Sequence, residues 1–359
     1  MYPISFHAFQ WSGRQRASSR RRQRGMTLVE WMVSITIGLI LVAGLLLLFA
    51  QQSSTQVELE KSSRQIENGR YAMQLLREDI QLAGYYGELS SAGAPPGTLP
   101  DPCATAVADL SAAMPFAVQG YDALTADFST NFAACPASFK SADNHVPGTD
   151  ILVVRHADVD ILPGSPVAGQ VYLQTGLNAS KTLLQSVLAA AADTTLDTSV
   201  FNLIKMDGTV APLRKYLVHI YYISPCSVAA SGTCASSDDG GVPVPTLKRL
   251  ELTAAGFTTT SLVEGVENMQ IDYGFDAAAG DGAPDSYAKD AAAVADWADL
   301  VALRIHLLAR NNERSAGYTD SKTYNLGLAG TTAATNDAFK RHVFSQLIRV
   351  VNPSARRDQ

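Results

Sequence analysis

The sequence predicts an α+β protein: one long N-terminal helix, membrane-spanning in its first half, packed on an antiparallel β-sheet head. Three observations predict it. Residues 26–50 are almost wholly apolar and carry one charge, Glu30. Residues 51–89 lack proline and place Ile66, Met73, Leu76, Ile80 and Leu82 at an amphipathic helical spacing. Beyond residue 90, loops rich in Gly, Pro and Ala separate β-branched runs, several of which alternate with the two-residue period of a half-covered sheet.

Charge is distributed unevenly. The first 24 residues hold six arginines (Arg14, Arg16, Arg20, Arg21, Arg22, Arg24) and no acid. With 28 basic and 34 acidic side chains in all, the remainder has 22 and 34, a net of −12. An acidic body argues against nucleic-acid binding, which needs clustered Lys and Arg on phosphates. A basic segment ahead of an apolar run marks the cytoplasmic flank of a membrane span. At 1.5 Å per residue, residues 26–50 make a helix of about 37 Å, enough for a hydrocarbon core of about 30 Å.

Three readings compete for this segment. A cleaved secretory signal requires small residues at the end of the apolar core, but "LLLLFAQQSS" places Leu48 there. A plain signal anchor has no use for Glu30, since an acid within a span costs up to a few kcal/mol. The third reading uses the whole stretch. "RGMTLVEWMVSITIGLILVAG" resembles the N-terminus of prepilins, the precursors of type IV pilins and type II secretion pseudopilins. The resemblance implies cleavage by prepilin peptidase after Gly25, N-methylation of Met26, and retention of Glu30 at the fifth mature position. Glu30 would dock one subunit on another by approaching a neighbour's Met26 amine in the apolar filament core, where water does not screen the pair. Its own helix dipole also favours an acid there. The leader is long for this pattern, and its first half is not basic.

The helix is expected to run from about Leu28 to Ala83, with Gly69 as a weak point. Within it, "NGRYAMQLLREDIQLAGYYG" resembles the segment after the membrane helix in the PilW family of minor pilins. "LVEGVENMQIDYGFD", "VALRIHLLAR" and "HVFS" extend that resemblance through residues 262–350. The implied organisation is a leader (1–25), a membrane or filament-core helix (26–50), its amphipathic continuation (51–89), and an α+β pilin head (90–359).

Strands are expected at 149–156, 169–174, 215–223, 247–254, 260–263, 266–275, 299–309 and 340–350, and a short helix at 180–192. In 299–309, Val301, Leu303, Ile305 and Leu307 should face one side and Arg304 and His306 the other. The four cysteines allow three disulfide pairings. Cys103–Cys135 and Cys226–Cys234 are expected, because each encloses a loop rich in small and turn-forming residues. Asp276, Asp281 and Asp285 lie in a Gly-rich loop that could hold a weakly bound Ca²⁺, although the EF-hand pattern is incomplete. His156 and Asp158 are close in sequence, but neither a nucleophile nor an oxyanion donor accompanies them. No catalytic motif is legible, and neither an enzymatic role nor a bound cofactor is expected.

The resemblance implies a minor pilin that primes type IV pilus assembly and sits at the pilus tip. Its partners would be prepilin peptidase, the major pilin, other minor pilins and a tip adhesin. It would lie in the inner membrane with its N-terminus cytoplasmic and its head periplasmic, then join the pilus. The alternatives are a J-type minor pseudopilin of type II secretion and a signal-anchored periplasmic binding protein.

Overall fold

The computed structural model describes residues 25–89, 92–122, 130–277, 280–291 and 293–357. Contacts divide the chain into two units, Met1–Val57 and Glu58–Gln359. The leader expected from sequence, residues 1–25, lies outside the described residues except for Gly25.

Helix α1 spans Leu28–Leu82. In the first unit its described residues are all exposed, including Leu28, Ile40, Leu47 and Phe49. An 18-residue window there has a mean hydropathy of 2.7. A helix that is apolar on every side needs lipid or other apolar helices around it. This segment is a membrane anchor.

In the second unit α1 is one-sided. It buries Gln65, Gly69, Ala72, Met73, Leu76, Asp79 and Ile80, a stripe spaced by three and four residues. The helix stops at Gly84, whose φ of +71° suits a residue without Cβ. Asn352 Nδ2 then donates to the carbonyls of Leu82 (3.4 Å) and Ala83 (3.1 Å), and Arg356 Nη1 to that of Gly84 (3.1 Å). Helix-end carbonyls need such donors when the last turn is covered.

The sheets are antiparallel throughout. Sheet one contains β1 (Val118–Tyr121), β2 (Ile151–Ala157), β3 (Val171–Leu177), β4 (Leu184–Ala190), β5 (Leu213–Ser224), β6 (Thr246–Thr253) and β7 (Gly256–Glu264). The long β5 is its axis. One edge of β5 pairs with β2, which pairs with β1; the other pairs with β3 near Leu213–Lys215 and with β6 from His219 to Ser224. Sheet two has the order β11 (Arg341–Arg349), β10 (Leu300–Arg310), β8 (Val266–Phe275), β9 (Ser286–Ala288).

Period-two alternation along β2 and β5 creates two cores. Leu152, Val154, Tyr221 and Ile223 join the α1 stripe and Met269, Ile271, Leu303, Ile305 and Leu307 of sheet two. Ile151, Val153, Val218 and Ile220 point the other way, toward Leu110 on helix α2 (Val107–Ala113), Phe139 on helix α3 (Ala137–Lys140), Met114 and Phe132. The chain closes with α4 (Val351–Arg357), which carries the residues that cap α1.

Three expectations need correction. Residues 180–192 contain β4, not a helix: Leu184–Ala190 pairs along its length with β3. A ladder on a sheet edge outweighs the helix propensity of a short Ala-rich run that is too brief to be a stable helix alone. On β10, Leu300 takes the core position expected of Val301, because the register with β8 shifts between Leu300 and Ala302. Gly69 is not a weak point. A Cβ there would run into the Phe344 ring on β11, so the glycine permits close helix–strand approach.

Candidate functional site

The N-terminus of α1 is the first candidate. Thr27 is its N-cap residue and Glu30 lies three residues on. Glu30 N–H donates to Thr27 Oγ1 (3.3 Å), and Thr27 N–H donates to a Glu30 carboxylate oxygen (3.4 Å). This reciprocal pair is a capping box, which satisfies two amide donors that an α-helix leaves open. "TLVE" thus encodes a helix start as well as the motif recognised in sequence. Gly25, Met26 and Glu30 are exposed, so the Gly25–Met26 bond expected to be cleaved and the carboxylate stand together at one open helix end.

A second constellation lies beneath the buried face of α1. Asp79 Oδ1 is 2.9 Å from His156 Nε2 on β2 and 2.9 Å from His219 Nδ1 on β5. Tyr221, two residues after His219 on the same face of β5, donates its hydroxyl to Asp79 Oδ2 (3.0 Å). All four side chains are buried. Burial alone would raise the Asp79 carboxyl, but the two imidazoles hold it well below the usual carboxylate range. Burial likewise works to lower His156, while the Asp79 hydrogen bond and charge carry it upward. Glu251 on β6, held by Lys215 (3.2 Å) and Arg249 (2.8 Å), is 3.9 Å from His219 Nε2. The arrangement ties the helix to two central strands through one carboxylate oxygen.

Sequence reading did not assemble this cluster. His156 faces Asp79, 77 positions away, and not its neighbour Asp158. One signal was available: Asp79 interrupts the apolar stripe Met73–Leu76–Ile80, and an acid on a buried helix face needs partners.

The Asp-rich loop is closed on itself. Asp276, fully buried, accepts from the Gly280 (2.9 Å) and Gly282 (2.8 Å) amides. Asp281 accepts from Ala283 N–H (3.0 Å) and Asp285 from Ala277 N–H (3.0 Å). Among the described residues, the three carboxylates do not all bring an oxygen within 4.8 Å of one another. Both expected disulfides are present, Cys103–Cys135 and Cys226–Cys234, with Cα separations of 4.9 and 5.7 Å.

Comparison with known families gives two matches. The model described as Type IV Pilus-assembly protein W matches residues 220–352, which run from β5 into α4. The model described as Prokaryotic N-terminal methylation motif matches residues 20–46, which enclose Gly25, Met26 and the capping box. No curated protein and no solved structure matches the chain. With a methylation motif at the start of the long helix and the assembly-protein match across the distal head, the chain is similar to type IV pilus-assembly protein W over residues 220–352 and to prepilin-like N-termini over residues 20–46.

Proposed function

We propose that the protein is a minor pilin of the type IV pilus that primes filament assembly and occupies the pilus tip, as a structural subunit without catalytic activity. It is inserted with its arginine-rich end in the cytoplasm and its head in the periplasm. Prepilin peptidase cuts after Gly25, and the new Met26 amine is methylated. The exposed apolar segment of α1 then leaves lipid for a bundle of equivalent helices from the major pilin and other minor pilins, with a tip adhesin above them. The observation that carries this reading is the N-terminal arrangement: Glu30 and the Gly25–Met26 bond share one exposed helix end, and an apolar surface without a partner among the described residues follows at once.

Mass spectrometry of the mature protein tests the first step. A mass beginning at methylated Met26 is expected; an intact leader, or cleavage near Ala50, would remove the proposal. The second step is tested by Glu30→Ala, which should be cleaved normally yet enter pili poorly. Normal incorporation and normal pilus number would reduce Glu30 to a helix-end residue. Calcium has no part in this reading of the Asp276 loop, and millimolar Ca²⁺ should leave the melting temperature unchanged.

A further inference from the structure

We infer that Asp79, His156 and His219 form a binding site for one divalent transition-metal ion of the zinc class, clasping α1 to sheet one. The inference does not depend on the pilin reading.

The geometry starts from His156. Its Nδ1 lies 2.8 Å from the carbonyl oxygen of Ala157. A carbonyl only accepts, so Nδ1 carries the proton. In the neutral ring Nε2 then presents a lone pair, and it faces Asp79 Oδ1, itself an acceptor, at 2.9 Å. Two lone pairs at that distance in a buried site repel unless a cation lies between them.

His219 lies on the other side of the same carboxylate. Its outer nitrogen, Nε2, is 3.9 Å from the Glu251 carboxylate, beyond hydrogen-bond distance. Its inner nitrogen, Nδ1, is turned to the same Asp79 Oδ1 at 2.9 Å. Histidines that bind metals characteristically give their other N–H to a carbonyl or carboxylate, which fixes the ring and the tautomer. Here His156 does so. Tyr221 completes the outer layer by holding Asp79 Oδ2 at 3.0 Å, leaving Oδ1 directed at the two rings.

The ligand atoms already lie within 4.8 Å of one another. Bonds of about 2.0–2.1 Å at tetrahedral angles place two ligand atoms roughly 3.3 Å apart, so a small opening of the 2.9 Å pairs admits an ion. Two imidazole nitrogens and one carboxylate oxygen suit Zn²⁺, Co²⁺ or Ni²⁺ and not the all-oxygen preference of Ca²⁺ or Mg²⁺. Water completes the coordination. The competing arrangement is an imidazolium at His156 beside a neutral His219 that donates Nδ1–H to the same Oδ1, two protons in place of one ion. One divalent ion between neutral rings serves both.

The test uses full-length protein in detergent, freed of affinity tag and stripped of metal by a chelator. Zn²⁺ is titrated by calorimetry, and Co²⁺ by visible absorption. We expect one ion per chain, d–d bands from Co²⁺, and a higher melting temperature with Zn²⁺. His156→Gln and His219→Gln should each weaken binding at least tenfold. His306→Gln, whose ring lies on sheet two beside Ser345, should not. Because a ligand variant could also disturb the fold, ¹⁵N spectra of the wild-type histidines supply a second readout. Zn²⁺ should shift His156 Nε2 and His219 Nδ1. Absence of binding, or binding that leaves those two nitrogens unmoved, overturns the proposal.

Discussion

The capping contact of Glu30 and its proposed docking role can be separated by substitution. Glutamine keeps the side-chain oxygen that accepts from Thr27 N–H, and it is an accepted capping-box partner. It has no charge for a neighbour's amine. Glu30→Gln should therefore be processed normally but should enter pili as poorly as Glu30→Ala, read by immunoblot of sheared pili. Recovery with glutamine would make capping the main role. At the same scale, His145 is buried against Phe139 and Tyr222, with its Nε2 2.6 Å from the Phe139 carbonyl oxygen. Burial lowers its pKa from 6.5 to about 4, against the opposing effect of that carbonyl. The unfolded chain thus binds more protons between those values, and stability rises with pH across the window. The contribution, up to roughly 3 kcal/mol, is present above pH 6.5 and is lost as pH falls toward 4. His145→Gln should flatten this dependence, measured as the urea midpoint at pH 4.5 against pH 7.

Among the elements, the meeting of α1 with β11 is set by Gly69 and Phe344. Gly69→Ala improves intrinsic helix propensity by about 1 kcal/mol, yet it should destabilise the protein, because the new methyl overlaps the Phe344 ring. A net loss of about 1–2 kcal/mol in chemical denaturation is expected. Phe344→Leu in the same chain should recover part of it, a coupling expected only of residues in contact. Gln65 fastens the same junction, since its Nε2 donates to the carbonyls of Ala309 (2.7 Å) and Lys340 (3.0 Å) at the adjoining ends of β10 and β11.

At the scale of the whole molecule, sheet one is covered on one face by α1 and on the other by a cap that Cys103–Cys135 closes. That bond spans 32 residues, against 8 for Cys226–Cys234. A longer closed loop removes more entropy from the unfolded chain, and two doublings of length are worth about 1.2 kcal/mol. Replacing Cys103 and Cys135 by serine should cost about 3–4 kcal/mol of unfolding free energy, and the other pair about 1 kcal/mol less. Equal losses would show that native-state strain, and not loop closure, sets their worth. The membrane anchor requires no such support from the head, since its exposed apolar surface is matched to lipid or to helices like itself.

Sequence alone determined what depends on local order. The span, the start of α1 at Leu28, its end beside Gly84 and most strand positions follow from periodicity, composition and turn chemistry. Both disulfide pairs were legible, because each encloses a loop rich in small and turn-forming residues. The motif around Gly25 and Glu30 was also legible, because its residues are consecutive. Tertiary structure decided the rest. Residues 184–190 became a strand because β3 offered them a ladder, a preference no thirteen-residue window contains. Gly69 gained its meaning from a ring 275 positions away. Asp79, His156 and His219 lie on three elements far apart in the chain, and only the packing of α1 on β2 and β5 makes them neighbours. Local propensity is written in neighbouring residues, whereas the partner of a buried charge is chosen by the fold.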